Sequence, residues 1–198
     1  MLKSIAITIL VSVSCIFSYA QAQQNVEKIP LEKMAKFEML LGSWQTDNYV
    51  FKDGEWAQFA TSTTTFSKKL KGKLITEEIS DLKPNNSFIV ETLISFDQYR
   101  DIYRLAAIDD TYGLMDIYEG DFIKDGVIQF TNFRAGTNFP TEDGGDMYFR
   151  LTFSEIDKNI AQDKWDYSRN ENKGKTDRYG KKYSWIASYE MAGYRSDL

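Results

Sequence analysis

The 198-residue chain has no histidine and a single cysteine. Without histidine there is no Ser-His-Asp triad, no Cys-His dyad, no histidine metal centre and no proximal haem ligand. Three prolines and 12 glycines are too few for a collagenous, low-complexity or disordered chain. Positive charge is in deficit: 24 Lys+Arg against 29 Asp+Glu give a formal charge of −5. That argues against a nucleic-acid partner, which needs a basic face. A long apolar run is missing too. The best stretch, Ile5 to Phe17, falls short of the roughly 20 residues of a spanning helix. No transmembrane segment is expected, and the length suits one domain that folds without staples.

That short apolar run has another meaning. Lys3 precedes it and Ala20-Gln21-Ala22 follows it. A positive start, an apolar middle and an A-x-A site make an export signal, with cleavage expected after Ala22. Residues 1–22 are then a signal peptide and 23–198 the mature domain, secreted or periplasmic. Cleavage removes Cys15, so the mature chain has neither a thiol nor a disulfide. The rival reading is a lipoprotein acylated at Cys15. Against it stand Ser12, where such a signal wants a leucine-like residue, and Ile16-Phe17, which keep the chain apolar past the cysteine.

What is plentiful is aromatic: 15 % Phe, Trp and Tyr, which favours strands. Residues 23–30 read as a loose polar arm. Apolar residues at 31, 34, 37, 40 and 41 predict a short helix over 31–41, stopped by Gly42. After it the chain alternates between polar and apolar or is β-branched and aromatic. Turn residues cut it into ten strands at 43–52, 55–66, 73–82, 87–96, 101–109, 113–123, 127–133, 146–156, 159–168 and 182–195. Asp53-Gly54 and Asp125-Gly126 are hairpin signals, because glycine accepts the positive φ of tight turns. No helical segment is read among the strands, which excludes parallel βαβ architecture. The fold class is all-β. A ten-stranded antiparallel meander with an apolar face must become a sandwich or close into a barrel, and closure removes its exposed edges.

Four features then follow in order: Gly42-Ser43-Trp44, Lys71-Gly72-Lys73-Leu74-Ile75-Thr76-Glu77-Glu78, Phe96-Asp97 leading to Tyr103 and Asp109, and the ending Gly193-Tyr194-Arg195. Their order and spacing over residues 37–195 resemble an exported bacterial family of lipocalin-like (calycin-type) barrels of unknown function. One departure is Ala107-Ile108, where such proteins often place Trp before the terminal Asp. The resemblance implies a single up-and-down barrel with a short N-terminal helix. It also implies that Trp44 packs under Arg195 to close the barrel base, a cation over an aromatic face.

Candidate site residues are weighed against plain packing. Asp97 and Asp109 sit where a turn aspartate caps backbone amides. Asp109, Asp110, Asp116, Glu119 and Asp121 form an acidic patch without the alternating-ligand loop of a calcium site, and alternation puts Asp116 on the face opposite Glu119 and Asp121. Glu77 and Glu78 are adjacent and point to opposite faces, so they cannot act as an acid–base pair. Lys68, Lys69, Lys71 and Lys73 make a solubilising turn. Arg104, Tyr118, Trp165, Trp185 and Tyr189 are large, polar-tipped and near mid-strand, so each fills the core or lines a cavity. Arg104 shares a face with Ile102, Ala106 and Ile108, and is the expected polar handle for a ligand anion or hydroxyl, with the other four as walls. The sequence assigns no catalytic residue, no cofactor, no metal and no oligomeric state. The expected function is binding of a small, largely apolar ligand. The alternatives are a packed structural or interaction barrel and a secreted enzyme using carboxylate or tyrosine chemistry.

Overall fold

The structure is a computed structural model that describes residues 28–84, 89–137, 139–140, 146–157, 160–169, 175–176, 182–183 and 186–195, with side chains as far as Ser154. The expected export signal and Cys15 lie outside the described residues.

Residues 28–34 are helical (α1) and pass into a 3₁₀ turn at Ala35–Phe37. Helix is thus present earlier than expected, and Pro30, assigned to a loose arm, lies within it. It also ends earlier. Met34, Phe37 and Leu40 are spaced by three, the repeat of a 3₁₀ turn, which stacks them on one face. All three are buried, while Leu31 is exposed.

The strands are β1 (Gly42–Lys52), β2 (Glu55–Lys69), β3 (Leu74–Lys83), β4 (Val90–Asp97), β5 (Ile102–Asp109), β6 (Met115–Lys124), β7 (Val127–Thr131), β8 (Phe139–Pro140), β9 (Asp146–Asp157), β10 (Ile160–Arg169), β11 (Lys175–Thr176), β12 (Lys182–Tyr183) and β13 (Ile186–Arg195). The expected strand over 127–133 stops at Thr131 and turns into a helical segment, α2 (Asn132–Ala135). Thr131 caps it by accepting the Phe133 N–H, and Gly136 ends it at φ 77°. The reading that no helical segment lies among the strands is corrected here. Threonine and glycine at these places are cap residues, and the apolar run hid them. The expected strand over 182–195 divides: β12 pairs only with β11, and β13 joins the main sheet.

That main sheet is antiparallel. β1 to β7 pair in chain order, then β7 pairs with β9, β9 with β10, β10 with β13 and β13 with β1. β8 adds a short edge to β9. Asp53 and Gly54, both at positive φ, make the tight β1–β2 turn.

One face of this sheet carries the core. It holds Trp44, Phe66, Ile75, Ile94, Phe96, Tyr103, Leu105, Tyr118, Phe130, Leu151 and Phe153. The α1 segment covers it where β1 begins and β4 ends. Phe37 meets Tyr103 and Phe122 edge to face, with centroids 5.4 Å apart in both pairs. The Trp44 Nε1–H donates to the Leu40 carbonyl at 2.7 Å, and the Tyr103 hydroxyl donates to the Lys33 carbonyl at 3.1 Å. Two carbonyls at the end of the helical segment are so satisfied by core side chains.

Candidate functional site

Alternation along β1 turns Trp44, Thr46 and Asn48 to the core face, and along β2 it turns Ala60, Ser62, Thr64 and Phe66 there. Ile75 and Glu77 follow on β3, and Thr92, Ile94 and Phe96 on β4. Beside the aromatic core there is therefore a polar stripe: Thr46, Asn48, Ser62, Thr64, Glu77 and Thr92, all buried. Its members bond to one another. The Thr46 hydroxyl donates to the Ser62 carbonyl at 3.0 Å and lies against the Ser62 hydroxyl. The Asn48 amide donates to the Ser62 Oγ at 3.2 Å, and Thr46 and Thr64 hydroxyls are 3.3 Å apart. On the other side the Thr92 hydroxyl donates to Glu77 Oε2 at 2.6 Å, a charge-assisted distance.

Glu77 is 2 % exposed, and Glu78 beside it is exposed and 3.7 Å from Lys69. The adjacent carboxylates do face opposite ways. Around Glu77 the sheet changes character. Among the described residues β3 and β4 pair from Leu74↔Ser95 to Thr76↔Leu93. Beyond that point side chains join the strands, by the Thr92–Glu77 bond and by the Ile79 N–H donating to Glu91 Oε1 at 3.2 Å.

The expected polar handle is placed elsewhere. Tyr103, Leu105 and Ala107 are the buried residues of β5, so Arg104 stands on the other face. Its Nε is 3.6 Å from Glu119 Oε1, and its side chain is 40 % exposed. Parity had grouped Arg104 correctly with Ile102, Ala106 and Ile108. Which face was inward could not be read, because Ile102 is itself buried. Tyr118 stands opposite Leu105 on the core face and is buried, so Arg104 and Tyr118 are not brought together. Trp165 is opposite Leu151 on one side and Tyr189 on the other, which brings these three positions into one row. Trp185 lies outside the described residues.

Tyr118 belongs to a second polar group. Burial pushes its phenol well above its usual pKa, and the neighbouring Asp116 carboxylate adds to the effect while accepting its hydrogen bond. Asp116 also accepts from the Asn132 amide at 2.9 Å, and the fully buried Asn132 accepts the Phe149 N–H at 2.8 Å. This group ties α2 to β6 and β9. The remaining acidic residues are engaged separately. Asp109 accepts the N–H groups of Thr111 and Tyr112, and Asp121 pairs with Arg134 at 2.7 Å. Asp97 accepts the N–H groups of Tyr99 and Arg100, and the Arg100 guanidinium holds its pKa below the usual carboxylate value. Among the described residues no three acidic side chains stand where they could hold a metal ion.

Sequence reasoning passed over the polar stripe. Both faces of β2 are hydroxylic through Thr61, Ser62, Thr63, Thr64 and Thr65, so composition did not separate inward from outward residues. No protein-family model matches the chain, and no curated protein matches it.

Proposed function

We propose that the protein is an exported lipocalin-like barrel that binds a small, largely apolar molecule against its core face. The order of strand pairing supports the barrel, because it runs from β1 through β7, β9, β10 and β13 back to β1. Ring-wise pairing of about ten strands makes a wider interior than the eight that side chains just fill. The observation that carries the ligand reading is the composition of the core face. Its β5–β9 part is mainly apolar, with Leu105, Phe130, Leu151 and Phe153, and its β1–β4 part carries, beside Trp44, Phe66, Ile75, Ile94 and Phe96, a stripe of small polar side chains with one carboxylate. An apolar wall with a few convergent polar groups is the usual lining of a small-molecule site. Tyr118, Trp165 and Tyr189 remain wall candidates, and Trp185 remains one from the sequence. Arg104 is replaced as the polar handle by the stripe. Export rests on Lys3, the apolar run and Ala20-Gln21-Ala22.

A packed structural barrel is the second reading. It is favoured by the near-zero exposure of Thr64, Thr92 and Leu105 on the same face. Titration with isoprenoids, aliphatic alcohols and aromatic compounds, followed by tryptophan fluorescence, separates the two. Saturable quenching or enhancement supports the carrier. A flat response to every class supports the packed barrel.

A further inference from the structure

We propose that the end of the molecule covered by α1 docks on an anionic lipid bilayer, with Leu70 at the point of contact. This holds whether or not the core face carries a ligand. The first observation is the β2–β3 turn. Leu70, Lys71 and Gly72 follow one another at φ 48°, 57° and 84°. Glycine takes that left-handed backbone freely, whereas leucine and lysine are strained in it. Leu70 is 71 % exposed, so packing does not explain a leucine there. Lysines at 68, 69, 71 and 73 keep the turn soluble by themselves, and the leucine among them does not serve that end. Strain held at an exposed apolar tip points to a contact made outside the chain.

Neighbouring segments join this tip in one surface. In an antiparallel meander alternate turns fall at the same end, so the β4–β5 and β6–β7 turns stand with the β2–β3 turn. The α1 segment links them. Leu31 lies against the β2–β3 turn, its Cδ2 3.5 Å from where a Cβ on Gly72 would stand. Lys68 donates to Glu38 at 2.9 Å, Lys33 donates to Asp101 at 3.1 Å, and Lys36 lies over the Phe122 ring at 5.2 Å. Tyr99, 87 % exposed, tops the β4–β5 turn, and Ile123 is exposed at the end of β6. The charge of this end is opposite to that of the chain. Residues 28–38, 68–73, 97–101 and 123–126 carry nine Lys+Arg against five Asp+Glu, although acids outnumber bases 29 to 24 over the whole sequence. Lys28–Glu32 and Lys68–Glu38 are exposed ion pairs, weak enough to yield to a denser anionic surface. Separate apolar tips among lysines suit a bilayer interface, where the tips enter between head groups and the lysines stay with the phosphates. An acidic protein would engage the lysines without needing apolar tips on three different turns.

The test is co-sedimentation of the protein, purified from its own host, with two kinds of vesicle: phosphatidylcholine alone, and equal parts of phosphatidylcholine and phosphatidylglycerol. The mixed vesicles should be bound at least about tenfold more tightly, and high salt should remove most of the difference. Lys71→Glu combined with Lys124→Glu should abolish the preference. Leu70→Asn places a residue that accepts the left-handed backbone. It should melt no lower than the wild type and yet bind the mixed vesicles severalfold more weakly. Equal binding to both vesicles, or to neither, would overturn the proposal. So would binding of soluble polyglutamate as tight as that of the mixed vesicles together with no effect of Leu70→Asn, which would mark an acidic protein as the partner.

Discussion

Trp44 is held by three constraints at once. Its ring lies in the main core, its indole N–H binds the Leu40 carbonyl, and its backbone pairs with Thr64 on one side and Arg195 on the other. The last pairing sets the Trp44 and Arg195 positions opposite each other in the β1–β13 ladder. Trp44→Ala removes the ring and leaves the helix-end carbonyl without its donor. We expect a loss of roughly 3–5 kcal/mol in urea unfolding, a large part of the roughly 5–15 kcal/mol a domain has. An unchanged midpoint would show that Trp44 does not anchor the covered end. Tyr103 makes a pH-dependent contribution at the same place. Burial, with Asp121 and Asp101 nearby, raises its phenol from 10.0 to about 12. The fold therefore favours the neutral phenol. That stability is present below pH 10, the unfolded value, and is lost as pH rises towards 12. Tyr103→Phe should cost about 1 kcal/mol at pH 7 through the lost bond to Lys33. It should also flatten the fall in melting temperature between pH 10 and 12. A wild-type and variant alkaline limb of equal slope would contradict this.

Strands and turns were legible for a clear reason: Asp-Gly pairs and alternating residues act locally, within a few positions. The β1–β2 hairpin follows its turn, with Lys52 opposite Glu55 and Tyr49 opposite Gln58. What the turn does not reveal is the bulge between Asn48 and Tyr49, which shifts the register by one. Counted straight from the turn, Trp44 would face Thr63; with the bulge it faces Thr64. A one-residue slip exchanges the faces of a strand, so it decides which threonines form the buried stripe. In the same way α2 was missed because its cap residues follow an apolar strand without a break. Two substitutions test these elements. Gly120 has no room for a side chain, since a Cβ there would lie 2.3 Å from the Gln129 carbonyl oxygen and 2.6 Å from the Phe130 ring. Gly120→Ala should force β6 from β7 and cost roughly 1–3 kcal/mol or more, seen as a lower unfolding midpoint. Asn132→Ala should strand the Phe149 N–H and release Asp116, at a cost of roughly 1–3 kcal/mol. Hydrogen exchange at Phe149 should then rise well before that of β5. Unchanged protection at Phe149 would mean that α2 is not fastened through Asn132.

At the scale of the molecule, the antiparallel order of strands was readable because most connections from β1 to β7 are hairpin-length. The inward faces were not, because several strands carry apolar residues on both sides. Ile102 and Tyr103 are adjacent and both buried, as are Val127 and Ile128. That ambiguity hid the fact that Arg104 stands on the face away from the buried core and that Glu77 is a buried acid. The account now rests on the core face being shared by an apolar wall and a polar stripe, with a small molecule between them. Native mass spectrometry of the mature protein, purified from its own host under mild conditions, measures this most directly. The account predicts a mass excess of one small molecule that leaves on unfolding and whose fragmentation shows a hydrocarbon body. A protein that carries only its own mass, and that also binds no isoprenoid, aliphatic alcohol or aromatic compound, would contradict it.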